Sequence, residues 1–166
     1  MSSSFKSRES KQTKPLRLFL CFNFVIEILL LAMPYIATVE NNTYYYSKTI
    51  VQIIIGMINS GDIKWIKLGM LAIIFSAIPV AGFFIAAFDK EGLVKCFAGC
   101  ICSFLGICCI LFAIPQFSTV LAFGAMAALI VYLLIFALSV SLALKTLGVR
   151  ALQRQEEQLA KEHNEA

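Results

Sequence analysis

Hydrophobic positions along this chain gather into four long runs separated by short polar breaks. The runs cover about 17–38, 66–88, 93–114 and 119–144. Each is near the ~20 residues that a helix needs to cross a hydrocarbon core ~30 Å thick. None keeps a polar face over its central turns, and a helix that is apolar all round is buried or membrane-spanning. The pattern predicts an all-α integral membrane protein whose membrane domain, 17–144, is a four-helix bundle. A basic tail, 1–16, precedes it and a charged tail, 145–166, follows.

The largest break, 39–65, carries structure of its own. Ile50, Ile53, Ile54, Met57 and Ile58 recur at the spacing of one helical face, while the apolar core is too short to span. This predicts a short amphipathic helix lying at the interface between the first and second spans, ended by the turn residues Asn59-Ser-Gly-Asp62. Tyr35, near the end of the first span, and Tyr44, Tyr45, Tyr46 and Trp65 suit headgroup-level anchors, since their rings are apolar and their polar tips want water. Asn41-Asn42-Thr43 has the pattern of a glycosylation sequon, which leaves open whether Asn41 is modified. Pro79 falls inside the second span, where neighbouring helices can satisfy the carbonyl it strands. Tight connections are predicted at Asp89-Lys-Glu-Gly92 and Pro115-Gln-Phe-Ser118.

Composition agrees with this reading. Hydrophobic residues make up 60% of the 166 and charged residues 14%, against ~45–50% and ~25% in soluble domains. Placing the N-terminus inside gives that side Lys6, Arg8, Lys11, Lys14, Arg17, Lys90, Lys95, Lys145, Arg150, Arg154 and Lys161, and the other side Lys48, Lys64 and Lys67. The positive-inside rule then predicts both termini in the cytoplasm. The first span is expected to remain as an anchor, because Glu27 interrupts its core and Tyr35-Ile-Ala37 makes a poor cleavage site. The net charge of +4 follows from these borders, so nucleic acid is not an expected partner.

One residue is hard to justify by membrane residence. Glu27 lies about ten residues into the first span, with Asn23 one turn before it on the same face. A carboxyl among apolar residues is a functional hypothesis by default. With no cation at its depth it is expected to be neutral and to donate a hydrogen bond. Three roles stay open: a proton- or cation-exchange site, a polar clasp within the bundle, or a contact to a partner subunit's cation.

The six cysteines lie within the predicted spans and show neither the paired spacing of structural zinc sites nor a redox C-x-x-C. A helical projection explains those of the third span better. Cys96, Gly99, Cys100, Cys102, Ser103, Gly106 and Cys109 share one half of the helix, and Phe97, Ile101, Phe104 and Leu105 the other. Small faces of this kind let membrane helices approach closely, and Gly69, Gly82, Gly124 and Ala128 offer the same in the other spans. Cys21 and Cys96 sit at a span border, where acylation is the alternative role.

No catalytic residue set, metal site or cofactor is expected. The single histidine, His163, lies in the polar tail, and Ser76, Ser139 and Ser141 are expected to bond back to their own helices. A lone Glu in the first of four spans resembles the small multidrug resistance transporters, in span count and that residue alone; the long first loop and charged C-terminal extension depart from them. An N-in, C-in layout with a large first loop resembles the tetraspan junction proteins, but 39–65 lacks their Trp-Leu-Trp motif and cysteine pair. The expected function is therefore that of a small non-catalytic accessory or structural subunit, packed in the lipid bilayer against another membrane protein or itself. The alternative is a proton- or cation-coupled small transporter or channel acting as an oligomer through Glu27.

Overall fold

Five helices and a small sheet follow one another in the computed structural model, which describes residues 2–40, 43–89, 93–113 and 120–165. The order is α1 (Ser2–Leu30), β1 (Pro34–Glu40), β2 (Thr43–Thr49), α2 (Ile50–Ser60), α3 (Ile63–Phe88), α4 (Val94–Cys108), β3 (Val120–Leu121) and α5 (Phe123–Glu165). A π-helical turn, Cys109–Ala113, continues α4. Among the described residues three helical stretches are long and apolar enough to cross a membrane: Ile63–Phe88, Val94–Phe112 and Phe123–Leu152.

The first predicted span differs from its expectation. Helix α1 stops at Leu30, so only 13 residues, about 20 Å, separate Arg17 from its end. Leu31, Ala32 and Met33 donate to the carbonyls of Ile28, Leu29 and Leu30, tightening the last turn. Pro34 then favours extended backbone before it and cannot continue a helix. What read as the end of a span is strand β1. At the other end α1 begins at Ser2, so the segment expected to be a solvated tail is helical, in keeping with its Lys, Arg, Glu and Gln content.

The protein is thus mostly helical but not all-α. β1 pairs antiparallel with β2, with Ile36 opposite Lys48 and Ala37 opposite Ser47. β3 joins the other edge of β1, Ile36 opposite Leu121 and Ala37 opposite Val120, giving the order β2-β1-β3. Pro34 is tolerated as the first residue of its strand, and Ile36, Thr38, Val39 and the Tyr44–Tyr46 run are β-formers. The side chains of Tyr44, Tyr45 and Tyr46 lie outside the described residues. So do Asn41 and Asn42, residues 90–92, and the predicted connection at 115–118.

Helix α2 opens with a capping box, in which Thr49 Oγ1 accepts from Gln52 N and Gln52 Oε1 from Thr49 N, both at 3.1 Å. It closes at Gly61, whose φ of 61° is the left-handed C-cap. Its inward face is Ile50 and Ile53, with Met57 seated against Gly69 of α3, while Ile58 is 72% exposed. Trp65 lies beside Gly56 of α2, and the Lys48 ammonium sits 3.7 Å from its ring centroid. Trp65 therefore ties β2, α2 and α3 together.

The helices meet where glycine leaves room for a ring or hydroxyl. Phe24 of α1 fills the place of a side chain at Gly82 of α3, Tyr132 of α5 that of Gly106, and Ser139 of α5 that of Gly99. Arg17 Nη1 donates to Ala87 O at 3.2 Å, and Asp89 Oδ2 accepts from Lys95 N at 2.9 Å. Arg17 in the middle of α1, the end of α3 and the start of α4 therefore share one end of the bundle. The sheet caps the other. Around this core the outward residues are apolar, among them Phe22, Leu29, Ile74, Phe104 and Leu134.

At Gly82 a β-branched side chain must displace the Phe24 ring. Gly82→Val is expected to cost about 1–3 kcal/mol. Gly148→Ala, on a helix surface with nothing within 4 Å of the added carbon, should gain about 0.5–1 kcal/mol. Thermal unfolding in detergent checks both; equal effects at the two sites would show that α1 and α3 do not touch at Gly82.

Candidate functional site

Helix α1 turns inward the stripe Leu20, Asn23, Phe24 and Glu27, spaced to share one helical face. Leu18, Phe19, Phe22 and Leu29 point outward and are exposed. The arrangement is inverted relative to a soluble helix, with Asn23 and Glu27 inside and the outer face hydrophobic. Glu27 is 0% exposed.

Asn23, the neighbour on the same helical face, does not bond the carboxyl. Asn23 Nδ2 donates to its own helix, to Phe19 O at 2.8 Å. Among the described residues both Glu27 oxygens lack a hydrogen-bond partner. A hydrogen bond between Asn23 and Glu27 is thus not formed, and the Glu27 side chain is buried within its own chain. Glu27 also lies in the last turn of α1, close to the sheet, instead of at the middle of a span.

Two further unpartnered groups converge there. Tyr35 of β1 and Tyr132 of α5 are each 0% exposed, and neither hydroxyl has a hydrogen-bond partner among the described residues. Both phenols lie within electrostatic range of Glu27, and Tyr132 within range of Tyr35, Cys102 and Cys109. Phe75 of α3 stands between the two rings, with centroids 5.5 Å from Tyr35 and 6.1 Å from Tyr132 in edge-to-face contacts. Four elements, α1, β1, α3 and α5, therefore contribute to one interior site.

Each side chain is held by local structure. The Tyr35 carbonyl accepts from Ala122 N at 3.4 Å at the junction of β3 and α5, so the sheet fixes its backbone while its ring enters the bundle. Tyr132 is fixed by the seat at Gly106. Nearby, an apolar pocket between the sheet, α2 and α3 is lined by Ile36, Ile53, Leu68, Phe75 and Cys109. It offers no polar group.

The third-span face has its buried positions at Cys96, Gly99, Cys102, Ser103 and Gly106, with Cys100 and Cys109 partly buried. Phe97, Ile101, Phe104 and Leu105 are exposed. Gly99 and Gly106 meet α5 of the same chain. Ser103 Oγ donates to Gly99 O at 2.7 Å and Ser76 Oγ to Ile73 O at 2.9 Å, whereas Ser139 Oγ, expected to bond back, has no partner. All six cysteines are free thiols. At the end opposite the sheet Lys95 is buried, and Lys95, Asp89 and Arg150 lie within electrostatic range of Cys96. Among the described residues no three His, Cys, Asp or Glu side chains are grouped to hold a metal ion.

Sequence reasoning missed the phenols. It placed Tyr35 at the membrane interface and gave Tyr132 no role. The available signal was a lone polar aromatic in the fourth run, opposite a small-residue face. No protein-family model matches the chain, and no curated protein or solved structure does.

The packing of Tyr132 separates its ring from its hydroxyl. Tyr132→Ala removes the filling of the Gly106 seat and the Phe75 contact, at an expected cost of about 3–5 kcal/mol. Tyr132→Phe keeps both and loses no hydrogen bond, so stability should move by less than about 1 kcal/mol. Thermal unfolding in choline chloride decides, and a large loss for the Phe variant would mean that the hydroxyl is bonded.

Proposed function

We propose that this chain is a four-span integral membrane protein that works as a small proton- or cation-coupled carrier, with Glu27 as its coupling group. The observation behind the reading is the enclosure of Glu27, buried by its own chain and without a bond to either oxygen. An arrangement that leaves a carboxyl unsatisfied costs stability, and ionisable groups kept inside membrane bundles mark ion and proton pathways. The small faces that would have served a partner subunit are occupied within the bundle, by Phe24, Ser139 and Tyr132.

In this reading α1 is the fourth span. Its apolar stretch is completed by Leu31–Ala37, whose last residues are buried at the head of the bundle. The Lys and Arg distribution puts both termini in the cytoplasm and the sheet on the outer side. Four helices enclose little volume, which favours an oligomer.

A second reading, a non-catalytic accessory subunit, draws support from α5. This helix continues for 43 residues, about 65 Å and twice a hydrocarbon core. Its polar end, with Arg154, Gln155 and Gln158 exposed, would offer a partner a surface.

Reconstitution in liposomes separates the two. A carrier gives flux that follows a pH or cation gradient and falls at least tenfold in Glu27→Gln; a wild type without flux, whose partner co-purification changes in the same variant, supports the subunit reading. Orientation has its own test. In a cysteine-free background, a cysteine at Ser47 should react with an impermeant maleimide from outside and one at Gln155 only after lysis; the reverse pattern would invert the topology.

A further inference from the structure

The unpartnered polar groups at the junction of α1 and the sheet all present oxygen, and among the described residues no basic side chain bonds Glu27. The carboxyl offers two oxygens, and the phenols of Tyr35 and Tyr132 one each, all four unpartnered. Glu27 also lies in the last turn of α1, where the aligned peptide dipoles of a helix present partial negative charge and favour a cation. Asn23 contributes nothing, since its amide is engaged with Phe19 O. Cys102 and Cys109, the thiols within range of Tyr132, are neutral groups that leave this balance unchanged.

We infer that Glu27, Tyr35 and Tyr132 form a binding site for a small monovalent inorganic cation, of the class of sodium or potassium. The inference rests on the reading of Glu27 as the coupling group and names its ion. Charge selects the valence. One carboxylate neutralises one positive charge, whereas a divalent ion would leave an excess charge in a medium that does not solvate it. Ligand chemistry selects a hard cation, because carboxylate and hydroxyl oxygens suit alkali and alkaline-earth ions. Size excludes organic ammonium ions, because Phe75 stands in edge contact with both tyrosine rings and the three side chains are enclosed. Tyr35 has a second consequence. As a residue of β1, it links the ion to the sheet.

The test uses the purified full-length protein at fixed pH and ionic strength, titrated with NaCl or KCl in place of choline chloride. One of the two salts is expected to raise Tm by roughly 3 °C or more at saturation. Tyr35→Phe and Tyr132→Phe, which keep their rings, should each raise the half-saturating concentration about 2–10-fold. Glu27→Gln should abolish the shift. Tm indifferent to both salts overturns the inference, as does a shift that survives unchanged in all three variants. If Glu27→Gln does not fold, the Tyr132→Phe titration decides alone. The carrier reading stands or falls separately. Glu27-dependent flux driven by pH, with no alkali-ion shift, makes the proton the ion and refutes only this inference. An alkali-ion shift without flux keeps the site and refutes the carrier.

Discussion

Lipid gives no hydrophobic reward for bringing one apolar helix against another, so a membrane bundle depends on close packing. In this chain that packing is a ring or hydroxyl received by a glycine. Phe24 enters at Gly82, Tyr132 at Gly106 and Ser139 at Gly99. Each seat gains many small dispersion contacts that a Cβ would forbid. The contacts also do a second thing. Seating the Tyr132 ring over Gly106 determines where its hydroxyl lies, and seating Phe24 at Gly82 turns the next inward residue of α1, Glu27, toward the same interior. The polar site is a by-product of how the apolar helices interlock, and a change in one seat should be felt at the other.

Much of the helical framework was legible in the order of residues, for reasons specific to each element. The short helix α2 announced itself because Ile50, Ile53, Ile54, Met57 and Ile58 repeat at helical spacing and Asn59–Asp62 end it with turn residues, signals that act over a few residues. The small face of α4 could be read because cysteine, glycine and serine alternate with Phe97, Ile101 and Phe104 at helical spacing. Strand β1 could not. It begins inside a continuous apolar run, and over seven residues a buried strand and the last turns of a span have the same hydropathy. Only Pro34, with its bias against helix, distinguished them. β3 is two residues long and is defined by its partner in β1, a contact that no local pattern carries.

The candidate site shows the same division. Glu27 stood out as a charge among hydrophobic residues. Tyr35 and Tyr132 did not, because a phenol adds one polar atom to a large apolar ring, and whether that atom finds a partner depends on the fold. Tyr35 was misplaced for the further reason that β1 turns it back into the bundle, away from the headgroups its position in the run suggested.

The position of Glu27 along α1 bears on how an ion would cross. The carboxyl sits beside the sheet, and one turn nearer the termini come Phe24 and Leu20, both fully buried. Asn23, the polar residue at that level, is engaged with its own helix. Between the carboxyl and the other end therefore lies an apolar layer. For a carrier, exposure of the site to the two sides in turn requires this layer to open, and the Phe24 ring can leave only by vacating the seat at Gly82 that joins α1 to α3. The contact that holds the bundle would then also be its inner barrier. Such a barrier separates the two effects of a bulkier residue at position 82: loosening of the bundle, and leakage past Glu27 toward the end where the chain begins.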